Sequence, residues 1–257
     1  QPKNDFEVLI EDSESVLLEE NFSGLSKTDL IISLGGDGTV LRCASLVHDN
    51  SIPILGINLG KIGFLCEIES SDVKRTIKNY LYGNSVLENR LTLGITLQRN
   101  NHVEEFIALN DFVLARGAKI RVIDVDTSIN GKHFVTYRGD GIVIATPTGS
   151  TAYSLSLGGA ILPPWSENIL IKPIASHMSI QGGVVLDKSS IIKLRADFSE
   201  DLSLTVDGFL DVQIREFDCI NVSLNSEKKV QFVRSKDYRE NYWSNLTRKL
   251  ELRKGET

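Results

Sequence analysis

The amino-acid sequence predicts an α/β domain at the N-terminus, an all-β domain of the sandwich type after it, and a C-terminal helix that returns to the first domain. Two short apolar runs, residues 30–34 and Ile54–Asn58, are each followed by a glycine-containing turn, as in parallel α/β layers. From about Asn89 the apolar spacing changes from helical to alternating, which indicates strands. The expected boundaries are residues 1–87 with 237–257 for the α/β domain, and residues 88–236 for the β domain.

The elements of the α/β domain follow from the apolar spacing in chain order. Residues 6–10 fit a strand and residues 14–21 fit a short helix, ahead of the buried strand at 30–34. Thr39 can cap the helix that follows this strand. Residues 71–83 have the pattern of an amphipathic helix that Ser71 can cap and Gly83 ends.

The β domain is predicted from ten short segments with strand patterns. The pair Asn130-Gly131 between two of them is a strong signal for a two-residue hairpin. The predicted strands are residues 91–97, 106–114, 121–129, 134–137, 142–145, 191–196, 202–206, 212–215, 220–224 and 230–233. Aromatic and leucine residues between Tyr238 and Leu250 then recur at spacings of three and four, which predicts the C-terminal helix.

Composition and charge exclude several classes of function. The net charge is −6 and the sequence pI is about 5.3, so no basic surface for nucleic acid or an anionic membrane is expected. The three cysteines lie far apart, which predicts reduced thiols and no metal site. No apolar run has the length of a membrane span and no signal region follows the polar start, so we expect a cytoplasmic protein without membrane contact. The sequence begins at glutamine and leaves open whether another segment precedes it.

The stretch L-G-G-D-G-T at residues 34–39 joins a strand, a glycine-rich turn and a helix start. Backbone N–H groups and the positive end of a helix dipole meet there, so Gly35, Gly36, Gly38 and Thr39 are expected to form a phosphate loop. This turn also contains a carboxylate, Asp37, where other phosphate loops have lysine or no charge. A carboxylate beside phosphate fits a metal ion or a proton-accepting role in phosphoryl transfer. The alternative is a tight turn in which Asp37 only caps the helix.

Three polar interruptions occur within the predicted β region. Asn110-Asp111 lies inside an apolar strand pattern, and the two interpretations are a pair that binds ribose hydroxyls and a strand bulge bonded to backbone. Residues 138–141, reading R-G-D-G, place a guanidinium and a carboxylate at a bend. Residues 146–159 contain four hydroxyl side chains in their first six positions, followed by Tyr153 and Ser156. This segment, which we call the hydroxyl loop, can hold a base edge, a ribose or a phosphate, and the alternative is a Ser/Thr-rich capping turn.

Taken together, these blocks resemble the NAD kinase family. Its members phosphorylate the 2′-hydroxyl of the adenosine ribose of NAD with ATP or, in some members, polyphosphate. The matching blocks are L-G-G-D-G-T-V-L-R at 34–42, G-I-N-L-G-K-I-G-F-L at 56–65, L-N-D at 109–111, R-G-D-G-I-V-I-A-T-P-T-G-S-T-A-Y at 138–153 and V-D-G at 206–208. The glycine–aspartate block is shared with diacylglycerol-type lipid kinases and phosphofructokinases, whereas the long threonine-rich block is specific to NAD kinases.

The resemblance implies roles for individual residues. Asp37 looks like the catalytic residue that activates the ribose hydroxyl, and the glycines around it like those that meet phosphate. Asn110 and Asp111 look like the pair that binds the NAD ribose, where Asp111 is one methylene shorter than the family's usual glutamate. The other positions that match the family's NAD site are Gly38, Phe64, Arg138, Asp140, Thr151, Ala152, Tyr153 and Ser156.

The resemblance also implies NAD and ATP as substrates, Mg²⁺ or another divalent metal carried with ATP, and a homotetramer. We expect NAD to bind between the two domains. A lipid kinase of the diacylglycerol type is the runner-up, and it would need an apolar groove in place of the hydroxyl loop. A catalytically silent NAD(P)-binding regulator would keep Asn110-Asp111 but would not need Asp37. The sequence does not decide between NAD and NADH, between ATP and polyphosphate, or whether NADP inhibits.

Overall fold

The fold is described from a computed structural model of the chain. The described residues are 28–47, 52–60, 63–66, 68–117, 121–177, 182–196, 202–215 and 218–253. The strand expected at 6–10 and the helix expected at 14–21 lie outside them. The helices are α1 (Asp37–Val47), α2 (Val73–Leu81), α3 (Tyr153–Ser156) and α4 (Tyr238–Arg253). The strands are β1 (Ile31–Gly35), β2 (Ile54–Asn58), β3 (Ile68–Glu69), β4 (Ser85–Arg99), β5 (His102–Ala108), β6 (Asp111–Arg116), β7 (Ile123–Ile129), β8 (Lys132–Gly139), β9 (Gly141–Ala145), β10 (Asn168–Ile174), β11 (Val184–Asp187), β12 (Ile192–Ala196), β13 (Leu202–Val206), β14 (Leu210–Ile214) and β15 (Cys219–Ser235).

The chain forms two compact units. The first unit comprises residues 1–88 and 230–257, and the second comprises residues 89–229. Helix α4 belongs to the first unit, so the prediction that the C-terminal helix returns to the α/β domain is confirmed. Among the described residues, no helix combines the length and the apolar character needed to cross a membrane.

The first unit contains the predicted parallel α/β layer. Strands β1 and β2 pair in parallel along their whole length, and β15 pairs in parallel with β2 at Phe232 and Ile54. Helix α1 contacts both β1 and β2 and buries its apolar side, which consists of Val40, Leu41, Ala44 and Val47. Because α1 follows β1 directly, its N-terminus lies at the carboxyl end of the parallel strands, where α/β folds bind ligands.

Two helix starts differ from the prediction. Helix α1 begins at Asp37, so Thr39 lies inside its first turn, and the carbonyl of Gly36 accepts the N–H of Val40 at 3.3 Å. An aspartate at the first helical position suits the positive end of the helix dipole, which explains the early start. Helix α2 begins at Val73 after a 3-10 turn, without a side-chain cap, so the predicted cap is absent there.

The second unit is a β-sandwich, as predicted. One sheet has six antiparallel strands in the order β11-β10-β9-β6-β13-β14. The facing strands include β7 paired with β8 and β12, and β4 paired with β5. Side chains from both sets of strands form one buried cluster, which includes Leu97, Phe112, Tyr137 and Leu194.

Several strand boundaries differ from the prediction. The segment predicted as one strand at 106–114 is interrupted after Ala108, and β6 starts at Asp111. The strands predicted at 220–224 and 230–233 form one long strand, β15. Strands β10 and β11 were not predicted. The hairpin at Asn130-Gly131 is confirmed, with φ values of 50° and 77° that fit a two-residue turn.

Candidate functional site

The carboxylate of Asp37 is held by a turn of the first unit. Its Oδ2 accepts the N–H of Phe64 at 2.7 Å, and its Oδ1 accepts the N–H groups of Leu65 at 2.9 Å and Cys66 at 3.3 Å. These bonds come from the turn at 63–66, so this carboxylate does more than cap its own helix. Asp37 is half-buried, and Oδ2 accepts one N–H from the described part of the chain although a carboxylate oxygen has two lone pairs. One lone pair of Oδ2 is therefore available to a hydroxyl donor.

A buried ion pair supports the same turn. The guanidinium of Arg234 donates from Nη1 to the carbonyl of Leu65 at 3.2 Å and from Nε to Glu88 Oε2 at 3.0 Å. Both charged side chains are buried, and the guanidinium lies 4.8 Å from the ring centroid of Phe232. The sequence analysis did not find Arg234 or Glu88, because they lie 169 and 23 positions from Leu65 with no motif around them.

The glycines of the phosphate loop differ in what surrounds them. A Cβ atom on Gly35 would lie 2.4 Å from Oγ1 of Thr39, so packing within the loop requires glycine there. A Cβ atom on Gly36 or on Gly38 would meet nothing within 4 Å. Packing of the described residues therefore does not explain glycine at these two positions. Close approach of a ligand to the backbone would explain it.

In the second unit, the hydroxyl loop packs directly on the backbone of the predicted ribose-binding pair. Thr146 donates from Oγ1 to the carbonyl of Leu109 at 2.6 Å and from its N–H to the carbonyl of Asn110 at 2.9 Å. A Cβ atom on Gly149 would lie 2.0 Å from the Asn110 carbonyl oxygen, so this contact requires glycine. The buried guanidinium of Arg90 donates to Thr148 Oγ1 at 3.1 Å from below the loop.

Both residues of this pair carry polar side chains, and Asn110 is half-buried while Asp111 is buried. Oδ1 of Asn110 is buried and accepts no hydrogen bond from the described residues. Burial raises the pKa of Asp111 to about 7, and the negative charge of Asp207 adds to the effect, while the N–H of Tyr153 opposes it. Such groups are stabilised when a ligand supplies hydrogen-bond donors.

Asp207, in the V-D-G turn between β13 and β14, is the residue that the sequence analysis left without a role. Its Oδ2 accepts the N–H of Leu109 at 2.8 Å, and its Oδ1 accepts the N–H groups of Asn110 at 2.7 Å and Asp111 at 3.1 Å. Burial raises the pKa of Asp207 to about 6, and the three N–H groups limit the increase. The V-D-G motif marks this residue in the sequence, but the motif alone does not predict which residues Asp207 contacts.

The structure brings only some of the predicted NAD-site residues together. Asn110, Asp111 and the hydroxyl loop with Thr151, Ala152, Tyr153 and Ser156 form one cluster in the second unit, which we call the ribose cluster. Thr151 is buried in the 3-10 turn ahead of α3, whereas Tyr153 and Ser156 are exposed on α3. Gly38 and Phe64 belong to the first unit with Asp37.

Arg138 and Asp140 lie away from the ribose cluster. Asp140 precedes β9 and Thr146 follows it, so the five residues of that strand, about 17 Å when extended, separate them. Oδ1 of Asp140 accepts a hydrogen bond from Arg116 Nε at 2.8 Å, a partner that the sequence did not reveal. Arg138 is exposed, and its Nε lies 3.9 Å from Oδ1 of Asp124. No group of three or more His, Cys, Asp or Glu residues arranged to hold a metal ion occurs in the described part of the chain.

Comparison with known proteins places these features in one family. The family model described as the ATP-NAD kinase N-terminal domain matches residues 17–85, and the one described as the ATP-NAD kinase C-terminal domain matches residues 109–235. The NAD kinase of Dehalococcoides mccartyi is 37% identical over 221 residues, which cover 85% of this chain and 77% of that protein. The NAD kinase of Clostridium beijerinckii is 40% identical over 216 residues, which cover 83% of this chain and 76% of that protein.

Two solved structures have the same fold. The NAD kinase of Archaeoglobus fulgidus, solved in complex with ATP, is similar with a TM-score of 0.74 and 25% identity, over 86% of this chain and 84% of that one. The yeast NADH kinase, solved with NADH, has a TM-score of 0.75 and 30% identity, over 82% of this chain and 62% of that one. The chain therefore spans slightly less than two thirds of the yeast protein but most of the bacterial and archaeal relatives. The two family models and these relatives show that the chain belongs to the NAD kinase family.

Proposed function

We propose that this protein transfers the γ-phosphoryl group of ATP to the 2′-hydroxyl of the adenosine ribose of NAD, which yields NADP and ADP. The observation that carries the proposal is the pair Asn110-Asp111, in which a buried amide oxygen without a partner among the described residues stands beside a buried carboxyl group. The neighbouring hydroxyls of a ribose are donors of the kind that these two groups need. Relatives named NAD kinase over about three quarters of their length support NAD as the molecule that brings this ribose.

The hydroxyl loop supplies the rest of the adenosine site in this proposal. Thr151, Ala152, Tyr153 and Ser156 directly follow the loop residues that pack on the Asn110 backbone. We also assign Phe64 and Gly38 to NAD binding, because both lie in the unit that holds Asp37. The four hydroxyls at the start of the loop are buried and bonded within the protein, so they shape the loop. The relatives named NAD kinase favour a dinucleotide over a lipid as the substrate.

Asp37 is the proton acceptor in the proposed reaction. The 2′-oxygen of the ribose forms a bond to the γ-phosphorus of ATP, the bond from that phosphorus to the bridging oxygen breaks, and ADP leaves. The hydroxyl proton passes to Oδ2 of Asp37, which accepts one N–H from the described residues and has two lone pairs. In a loose phosphoryl-transfer transition state the nucleophile loses its proton late, so an aspartate that orients the hydroxyl is a sufficient base. The N–H groups of Leu65 and Cys66 fix the carboxylate through Oδ1.

Phosphate binding is assigned to the loop ahead of α1. Gly35 and Thr39 shape the loop through their mutual contact, and Gly36 and Gly38 leave its backbone open to a phosphate. The first N–H groups of α1 and its dipole favour an anion at this place. A divalent metal ion, with Mg²⁺ as the first choice, would be carried in by the ATP phosphates and would neutralise charge on the transferred group.

We assign Arg138 and Asp140 to the nicotinamide half of NAD. The diphosphate of an extended dinucleotide separates the two nucleosides, which is consistent with a second set of polar groups distant from the ribose cluster. The ion pair with Arg116 fixes the Asp140 carboxylate beside the bend that carries it. Because the two units contribute different groups, we expect an isolated fragment of residues 88–236 to bind NAD much more weakly than the whole chain, as calorimetry can measure.

We further propose a homotetramer that works in the cytoplasm. Among the described strands, β14 and β11 end the six-stranded sheet, and edge strands of this kind can pair with other subunits. The three cysteines are free thiols, as expected in a reducing compartment. Light scattering across a wide concentration range should give the mass of four chains, and a monomer mass throughout would refute this assembly.

A coupled assay tests the function. The protein is incubated with ATP and Mg²⁺ and with NAD, NADH or diacylglycerol, and NADP(H) is measured with an NADP-specific dehydrogenase while ADP is measured separately. We expect ADP and NADP in equal amounts with NAD, and no NADP when ATP or the metal is left out. ADP formed only with diacylglycerol would support a lipid kinase instead. NAD binding by calorimetry without any NADP would support a silent binding protein.

A further inference from the structure

We propose that Asp207 is a positioning residue for the substrate ribose, because its carboxylate fixes the backbone that carries the Asn110-Asp111 pair. The inference rests on the proposed NAD kinase function and assigns a task to the V-D-G turn at 206–208. Asp207 is not a ligand of the substrate in this account. It acts through the two side chains whose backbone it holds.

The carboxylate of Asp207 collects the hydrogen bonds of one turn. Three successive N–H groups, those of Leu109, Asn110 and Asp111, all point to the carboxylate of Asp207 at 2.7 to 3.1 Å. Leu109 and Asn110 lie between β5 and β6, outside either strand. Hydrogen bonds to an ionised carboxylate are roughly twice as strong as neutral ones, so one side chain determines the course of this turn.

The contact between the two turns is reciprocal, and it needs an unusual backbone conformation at Asp207. The N–H of Asp207 donates to the carbonyl of Asp111 at 3.0 Å, so the two turns bind each other in both directions. Asp207 has a φ of 49°, a left-handed conformation that few non-glycine residues adopt and that asparagine and aspartate tolerate best. A glycine would adopt this conformation more easily but would provide no acceptor, which indicates that the carboxylate is what the position requires.

The hydroxyl loop binds the same segment as Asp207 does. The carbonyls of Leu109 and Asn110 accept hydrogen bonds from Thr146 on the side of the hydroxyl loop. The N–H groups of the same residues are bound by Asp207. The peptide groups around Asn110 are therefore fixed from both of their polar sides, which leaves the Asn110 and Asp111 side chains as the parts of this segment that can meet a ligand.

The test compares Asp207→Asn with Asp211→Asn. Asparagine keeps the size and the tolerance for positive φ, but its NH₂ group replaces one acceptor, so at least one of the three N–H groups loses its partner. We expect the KM for NAD to rise about 10- to 100-fold, the range for one lost charge-assisted bond, with kcat and the KM for ATP changed less than about threefold. Asp211 is the matched control, because it lies on the same hairpin and accepts from Thr205 Oγ1 instead of from the 109–111 backbone.

An unchanged KM for NAD in folded Asp207→Asn would overturn the proposal. Equal losses in kcat and in both KM values would also overturn it, because they would mark a purely structural residue. The wild-type assay with NAD and ATP is performed first. If it yields no NADP, the proposed function fails, and the Asp207 contact is then judged by the wild-type measurement that follows.

A pH titration of the wild-type protein tests the Asp207 contact without a variant, and it also serves if Asp207→Asn does not fold. Burial raises the pKa of Asp207 to about 6, so acidification through this value protonates its carboxyl group and weakens its three bonds. We expect the backbone amide proton resonances of Leu109, Asn110 and Asp111 to move together in one step around pH 6 in the wild-type protein, apart from any step of the Asp111 carboxyl group, whose pKa is raised to about 7. Three resonances that stay constant across this range would show that Asp207 does not hold the turn.

Discussion

A Cβ atom on Gly63 would lie 2.1 Å from Oδ1 of Asp37, which is far inside any normal contact. The carboxylate of Asp37 occupies this space because it accepts the N–H groups of the three residues that follow Gly63. The carboxylate of the proposed proton acceptor can therefore lie where it does only because residue 63 is glycine. This relationship offers a way to move the carboxylate without removing it.

Gly63→Ala should reduce kcat by about 10²-fold, the effect of an approximately 1 Å displacement of a reacting group. The methyl group pushes the Asp37 carboxylate away from the turn, while its chemistry stays intact. Steady-state kinetics with NAD and ATP measures the effect. Gly60→Ala is the control, because a Cβ atom there meets nothing within 4 Å. Wild-type kcat in Gly63→Ala would mean that the carboxylate is not needed where the structure has it.

Gly36→Ala and Gly38→Ala should fold normally and raise the KM for ATP about tenfold, which corresponds to the loss of about one hydrogen bond to phosphate. Their Cβ atoms meet nothing in the protein but would occupy the space of a bound phosphate. Gly38→Ala should also be more stable by about 0.5–1 kcal/mol, because Gly38 lies within α1. Urea unfolding and ATP titration of the same samples measure both effects. An unchanged KM for ATP in both variants would contradict the assignment of phosphate binding to this loop.

The sequence points to candidate site residues where the motif is local and gives no sign of partners that lie far along the chain. Asp37 and the glycines around it are recognisable because strand, turn and helix start follow each other within one stretch. The turn at 63–66 binds Asp37, and Arg234 in turn binds a carbonyl of that turn. These contacts join residues up to 169 positions apart, so no spacing rule could reveal them. The same applies to Asp207, whose three partners lie 96 to 98 positions away.

The fold shows the same limit. Alternating apolar residues identified the sandwich, but the break between β5 and β6 comes from the contacts of Asn110 with Thr146 and Asp207, which a local pattern does not contain. Strand β15 was predicted as two strands because polar residues from Asn225 to Lys229 interrupt its apolar pattern. Within this polar stretch the N–H groups of Glu227 and Lys228 donate to Oδ1 of Asn225, a side-chain contact that the apolar pattern does not contain.

Glu88→Gln should lower the free energy of unfolding by about 3–5 kcal/mol, because it removes the negative charge from a buried ion pair. The Arg234–Glu88 pair is almost fully buried, and it supports the turn that holds Asp37. Glu167→Gln is the control, since Glu167 pairs with Lys188 on the surface and should contribute less than about 1 kcal/mol. Urea unfolding of both variants decides the matter. Equal, small losses in both would contradict a structural role for the buried pair.

The stability of the protein should fall as the pH rises from about 4 to 7. Burial raises the pKa of Asp111 from its ordinary value of 3.8 to about 7, so in this range the folded state holds a proton that the unfolded state lacks. Asp111→Asn removes this titration and should be more stable than the wild type at about pH 8, by up to about 4 kcal/mol. Thermal unfolding across this range tests the slope. Wild-type and Asp111→Asn curves with the same slope between pH 4 and 7 would contradict the raised pKa of Asp111.

The most direct test of the account is the effect of Asp37→Asn on kcat and on the Kd for NAD, measured on the same preparation. Asparagine cannot accept the ribose proton, and loss of a general base costs about 10²–10⁴ in rate. Its NH₂ group also opposes one of the N–H groups of the turn, so Gly63→Ala serves as the reference for a disturbed turn that keeps its carboxylate.

We expect kcat to fall by about 10²–10⁴ in Asp37→Asn, further than in Gly63→Ala, while the Kd for NAD changes less than about tenfold. The small change in Kd follows because the ribose cluster is untouched. Near-normal kcat in Asp37→Asn, or a lost affinity for NAD with normal turnover at saturation, would contradict Asp37 as the proton acceptor.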